Sequence, residues 1–195
     1  YTLQPVPALA EKHSVSGGRT WRFTIRKDAK FENGKPITAQ TFVDSWLNLL
    51  NPAGNHPYAS LLDCIDGAAD YRNGKLKNKN QVGIKAESEQ VLLVTTNTEI
   101  EHLPNILCHH AFSAVETSQL EAALKFSNIE RIEKLRDSFK PISSGAYRIK
   151  KFSEKELISC PVNDMSTPEH AEITKLLNKS IKKITEDTAS LNFNT

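Results

Sequence analysis

The chain has 195 residues, 25 of them basic and 23 acidic, so its formal charge is only +2. So close a balance leaves no electrostatic footprint for nucleic acid or an anionic membrane surface. With 38% hydrophobic and 25% charged residues the composition is that of an ordinary globular domain, and a chain this long can bury about 70% of its unfolded surface.

No stretch approaches the roughly 20 apolar residues that span a bilayer. The chain starts at Tyr1 and its one methionine is Met165. It is therefore expected to be a processed product or a piece of a longer chain, with any signal peptide or lipid anchor upstream.

In chain order, Ser16-Gly17-Gly18 is a turn. Trp21, Phe23 and Ile25 then alternate with Arg22, Thr24 and Arg26, the period of two of a half-buried strand. Asn33-Gly34 is a turn pair, because both residues tolerate positive φ. Thr38 is placed to cap a helix, and Phe42, Trp46, Leu49 and Leu50 give that helix one apolar face. Asn51-Pro52 ends it, since a residue before proline is pushed out of the α region.

Asp66 to Asn73 read as a short helix stopped at Gly74. Val82 to Ala86 and Val91 to Thr95 predict a hairpin around Glu87-Ser88-Glu89-Gln90. A short helix over 100–107 turns Leu103, Ile106 and Leu107 inward. Thr117 is placed to cap a helix through about Phe126, and Asn128 the next, with Ile129, Ile132 and Leu135 on one face. A second hairpin joins 143–152 to 156–162. A helix over 168–178 follows.

The run from Thr20 to Trp46, TWRFTIRKDAKFENGKPITAQTFVDSW, resembles the signature region of the extracellular solute-binding proteins of family 5. These are the oligopeptide- and dipeptide-binding proteins of ABC importers. The family pattern is Trp-x-Phe-x-Leu-Arg-Lys, a turn, then Gly-x-Pro-x-Thr-Ala before an aromatic helix. Trp21, Phe23, Ile25, Arg26, Lys27, Gly34, Pro36, Thr38 and Ala39 fill those places. A second match is Ser144-Gly145-Ala146-Tyr147 through Phe152, similar to Asn-Gly-x-Tyr-x-Leu-x-x-Trp. Pro57-Tyr58-Ala59 is similar to the family's Ser-Pro-Tyr-Ala segment. Cys108 to Val115 is similar to its Leu-x-His-Pro-x-x-x-Pro-Val crossing. The resemblance also implies a strand and helix over 181–191.

There are departures. His13 stands where the family usually has Trp, and it is read as a structural substitution. Both prolines of the crossing are lost, at His110 and Ala114, and the aromatic pair expected after Asn163 is gone. Two helices over 117–135 exceed the family's linker.

The cluster Cys108-His109-His110 is the one place that suggests chemistry. On a strand, adjacent residues point to opposite faces, so three such residues do not converge on one metal. No second cluster has zinc spacing, and no loop near Cys108 supplies an oxyanion site. The chain contains no nucleophile elbow, phosphate loop or dinucleotide fingerprint. Catalytic residues, metal sites and cofactors are accordingly expected to be none. Cys64, Cys108 and Cys160 leave at least one thiol free. Their apolar settings predict buried structural cysteines, and one disulfide of undetermined pairing is possible.

The resemblance implies an α/β (mixed α+β) fold, a periplasmic-binding-protein-like class II fragment with mixed sheets, hairpins and short packed helices. It implies that residues 1–117 are the second domain, that 118–195 are part of the first, and that the third domain is absent. It implies a monomeric, extracytoplasmic binding component, in the periplasm or anchored at the cell surface, that captures an oligopeptide or other small solute in an interlobe cleft and delivers it to a membrane-embedded ABC permease. It does not imply an enzyme or a nucleic-acid partner. Two residues are its candidate ligand contacts. Tyr58 matches the tyrosine on the family's cleft wall, where a rigid ring with one hydroxyl suits sequence-tolerant contact; half-buried packing is the other reading of it. His109 matches the family's histidine near the same cleft. The rivals are a thiol or metal-dependent hydrolase using Cys108 and His109, and a surface lipoprotein on this scaffold that binds host or matrix partners.

Overall fold

The computed structural model describes residues 5–54, 56–124, 142–145, 147–152 and 157–161. The chain divides into two compact units, Tyr1–Ser144 and Gly145–Thr195. The expected helices over 128–135 and 168–178, and the strand and helix over 181–191, lie outside the described residues.

The first unit is built on a four-stranded antiparallel sheet in the order β1-β2-β4-β3. The strands are β1 (Ala10–Ser16), β2 (Thr20–Ile25), β3 (Ile84–Ala86) and β4 (Val91–Thr95). The alternation in β2 does what its sequence predicts. Trp21, Phe23 and Ile25 are buried, while Arg22 and Arg26 face water. The same period places Leu92 and Val94 of β4 inward beside them. On the outer face Arg22 pairs with Glu87 across the sheet, through both terminal guanidinium nitrogens.

Between β2 and the first helix the chain makes the predicted tight turn. Gly34 has φ +81° and donates to Phe31 O at 2.9 Å, and Asn33 Oδ1 accepts from Lys35 N at 3.1 Å. Helix α1 (Ala39–Leu49) follows, with Thr38 at its N-cap. Here Thr41 closes the turn, its Oγ1 accepting from Thr38 N at 3.1 Å. Phe42, Val43, Trp46, Leu47 and Leu50 are buried in the core they share with the sheet, and Leu49 is half-buried.

The short elements after α1 are trimmed by their glycines and prolines. The helix expected from Asp66 starts two residues later, as α2 (Ala68–Arg72), because Gly67 before it sits at φ +70°. That left-handed conformation is one that only glycine adopts at little cost. Likewise the strand expected from Val82 is regular only from Ile84. Gly83 lies so close to β4 that a Cβ there would meet Thr95 O at 2.6 Å. Helix α3 (Leu103–Leu107) begins where Pro104 fixes its first turn.

Helix α4 (Thr117–Leu124) has a different cap from the one expected. Thr117 is exposed; the cap is Glu116, whose Oε2 accepts from Ser118 N at 3.0 Å and also from the Ser118 hydroxyl. Its Oε1 takes Lys35 Nζ at 2.5 Å. In the second unit β5 (Tyr147–Phe152) and β6 (Leu157–Pro161) form the predicted antiparallel hairpin, with a register shift between Ile149 and Lys151.

Candidate functional site

The two residues singled out in the sequence meet. The ring centroids of Tyr58 and His109 are 4.5 Å apart. Each is presented by a short 3-10 turn anchored in the core by buried apolar residues. Tyr58 precedes the turn Ala59–Leu62, in which Ala59 and Leu62 are buried. His109 precedes the turn His110–Phe112, anchored by buried Phe112. Arg72 grips Asp63, at the end of the first turn, with two bonds of 3.0 and 2.6 Å. Asn97 Nδ2 donates to Asp63 O at 2.9 Å, tying the same place to the end of β4.

His109 is oriented from both sides. Its Nδ1 accepts from Ala111 N at 3.3 Å, and its ring lies 5.7 Å from that of Phe112. With Nδ1 so used, the neutral imidazole carries its proton on Nε2. Phe112 is itself held by Trp46, whose Nε1 donates to Phe112 O at 2.9 Å.

His110 joins the cluster, its ring 4.2 Å from His109 and 5.5 Å from Tyr58. Sequence reasoning missed this because it read 108–115 as extended chain, where neighbours point apart. The segment is instead a helix C-cap at Cys108 followed by a 3-10 turn, and such a turn lets consecutive rings meet. The histidine in place of the family's proline was the available signal. The outcome is an exposed aromatic and imidazole surface. Tyr58 and Leu61 are each 43% exposed, far more than the core around them.

The cysteines differ from expectation. Cys108 is exposed and Cys64 half-buried, and both are free thiols. Burial pushes the Cys64 thiol upward, against a partial offset from backbone hydrogen bonding. Cys108 caps α3 and so faces outward at the end of a helix. Among the described residues, no group of three His, Cys, Asp or Glu side chains is placed to hold a metal ion. Among them too, no helix is long and apolar enough to cross a membrane.

Beside the cluster lies a cavity of about 570 Å³ within the first unit, with His109 and Cys108 in its wall. The first unit thus sets anchored 3-10 turns, an exposed ring cluster and an apolar recess side by side.

The chain belongs to the bacterial extracellular solute-binding proteins of family 5. The model described as "Bacterial extracellular solute-binding proteins, family 5 Middle" matches residues 4–192. The periplasmic oligopeptide-binding protein OppA of Escherichia coli K12 is 33% identical over 156 residues, covering 79% of this chain and 27% of that protein. The dipeptide-binding protein DppE of Bacillus subtilis 168 is 36% identical over 113 residues, or 57% of this chain and 21% of that one. Among solved structures, the murein tripeptide binding protein MppA of Escherichia coli superposes with a TM-score of 0.70 at 28% identity, covering 80% of this chain and 30% of that structure. OppA of Haemophilus influenzae in complex with the peptide RPPGFSPFR gives 0.68 at 25% identity, with 80% and 29% covered. The chain thus spans under a third of the length of these relatives. The fold is the periplasmic-binding-protein-like one expected, and the family is one of binding proteins that work outside the cytoplasmic membrane.

Proposed function

We propose that this chain is part of an extracytoplasmic binding component of an ABC importer, which captures peptides in a cleft between lobes and delivers them to the membrane permease. The observation that carries this reading is the contact between exposed Tyr58 and half-buried His109 in a chain of this family. Tyrosine offers a flat apolar face and one hydroxyl. The His109 Nε2–H adds a donor for a peptide carbonyl. Such contacts are indifferent to side-chain identity, which suits a protein that must accept many peptides. The relatives' names support the ligand class, because they are oligopeptide-, dipeptide- and murein-peptide-binding proteins.

Residues 1–117 form the second domain in this reading and 118–195 part of the first. Lobe closure is a two-state change biased by ligand contacts on both walls. The component acts as a monomer, catalyses no reaction and binds no nucleic acid, in keeping with a charge of +2. The test is mass spectrometry of small molecules that co-purify with the longer protein containing this chain, followed by calorimetry with a peptide library. Peptides of mixed sequence are expected, and Tyr58→Ala should weaken their binding. Recovery of a single non-peptide solute, with no heat from any peptide, overturns the reading.

A further inference from the structure

The cavity beside His109 lies wholly within the first unit, between the sheet, α1, α3 and the segment leading into β1. Its volume of about 570 Å³ falls inside the range of about 300–1,000 Å³ typical of small-ligand sites. The floor is made of Phe23, Leu92, Trp46 and Phe112, all buried core residues. The Trp46 nitrogen is already bonded to Phe112 O, so the indole contributes apolar ring surface rather than an unpaired donor.

Two imidazoles flank this floor. His109 joins the cavity to the Tyr58 surface. His13 lies opposite Phe23 in the β1–β2 register, which directs both to the same face of the sheet, and its ring is 5.9 Å from that of Phe23. Among the described residues the wall contains no aspartate or glutamate, and its one formally charged residue is the cation Lys12.

We infer that this cavity receives a compact apolar side chain of the bound peptide and rejects a cationic one. The inference rests on the peptide-binding reading above and adds a selectivity to it. Apolar walls gain by covering leucine- or phenylalanine-sized groups. An ammonium or guanidinium there leaves water and finds no carboxylate in return, which is costly. The imidazoles supply donors or acceptors for the peptide amide next to the inserted side chain. Tyr58 lies outside the cavity and carries the sequence-tolerant contact, so tolerance and selectivity sit on either side of His109.

The test uses the 195-residue chain with three probes: N-acetyl-leucine amide, N-acetyl-phenylalanine amide and N-acetyl-lysine amide. The reporter is the indole N–H resonance of Trp46, with Trp21, which does not line the cavity, as internal control. The leucine and phenylalanine amides should shift the Trp46 signal saturably, and the lysine amide should not. Asn105→Phe and Ser113→Phe fill the cavity from two exposed rim positions. Each should weaken the response about tenfold or more while the unfolding midpoint stays near wild type. An absent Trp46 shift, an equal shift with the lysine amide, or a shift that survives both filled variants overturns the inference.

In the longer protein, Asn105→Phe should reduce the preference for apolar over basic residues in bound peptides. If peptides bind there and that preference is unchanged, the cavity is filled by the protein itself and this inference fails while the peptide-binding reading stands. If the longer protein binds no peptide but the amides still shift Trp46, the peptide reading fails and the cavity stands as an apolar small-molecule site.

Discussion

Trp46 and Phe112 are joined twice. The indole Nε1 donates to the Phe112 carbonyl at 2.9 Å, and the two rings meet edge to face with centroids 6.4 Å apart. One residue earlier in α1, Ser45 Oγ accepts from Val115 N at 3.0 Å. The helix that covers the sheet therefore also fixes the turn that presents His109. Core packing and site geometry here depend on the same side chain.

Trp46→Ala is expected to destabilise the first unit by about 3–5 kcal/mol, as for large aromatic truncations in a core. Trp46→Phe keeps much of the ring but strands a buried carbonyl, and should cost about 1–3 kcal/mol. Chemical denaturation of both variants measures this. A midpoint equal to wild type for Trp46→Ala would show that α1 does not organise the core.

The Glu116 carboxyl is held below its ordinary range, first by the hydrogen bond from Lys35 and next by that from Ser118. A carboxylate whose folded-state value is depressed adds stability above its unfolded value, about 4.3 for glutamate, and loses it as pH falls through the lower folded value. Glu116 is buried, whereas the Lys35 side chain is 57% exposed, so solvent weakens the pair's Coulombic part and the bonds to Ser118 matter more. Glu116→Gln should therefore cost stability at pH 7 and progressively less below about pH 4. Urea denaturation of both proteins across that range checks it. A stability difference independent of pH would mean that the charge on Glu116 is not what caps α4.

How much of this was legible follows from the range of the interactions involved. The strand at Trp21, the Asn33-Gly34 turn and α1 are written in local periodicity and turn chemistry, and they stand as expected. Tyr58 and His109 were identified separately by resemblance, but their contact spans 51 positions of the chain and leaves no local signal. The ion pair that holds Glu116 escaped notice for the same reason, since its cation Lys35 is 81 positions away. Cys108 has apolar neighbours in sequence, yet it sits at a helix end, where the chain turns outward. Periodicity reports which face of an element is apolar. It is silent at caps and 3-10 turns, where the candidate site is built.

The thiols should differ in reactivity. Cys108 is exposed, and Cys64 is half-buried with its thiol pushed up by burial. The thiolate is the reacting form, so at neutral pH iodoacetamide should label Cys108 before Cys64. Peptide mapping over time shows the order. Cys108→Ser should leave the fold intact, with a small loss of stability. Faster labelling of Cys64 would contradict its burial. Loss of a hydrolytic activity in a well-folded Cys108→Ser protein would revive the hydrolase alternative.

The last prediction concerns the chain by itself. In the proposed cleft, affinity comes from two walls and from the water excluded when they close. Tyr58 and His109 offer one wall with one or two hydrogen bonds, each worth about 1 kcal/mol net. The apolar cavity adds the burial of one side chain, about 1.5–3 kcal/mol. Immobilising a flexible peptide costs several kcal/mol, about 4–15 before side-chain ordering. The gains therefore do not exceed the cost by a useful margin. These 195 residues are expected to fold yet bind peptides no tighter than about millimolar, or roughly −4 kcal/mol. The longer protein should bind far more tightly, and Tyr58→Ala should weaken it there. Calorimetry on both proteins with one peptide library compares them directly. Micromolar binding by the 195-residue chain would mean that the first unit is a complete binding module and that no second wall is needed.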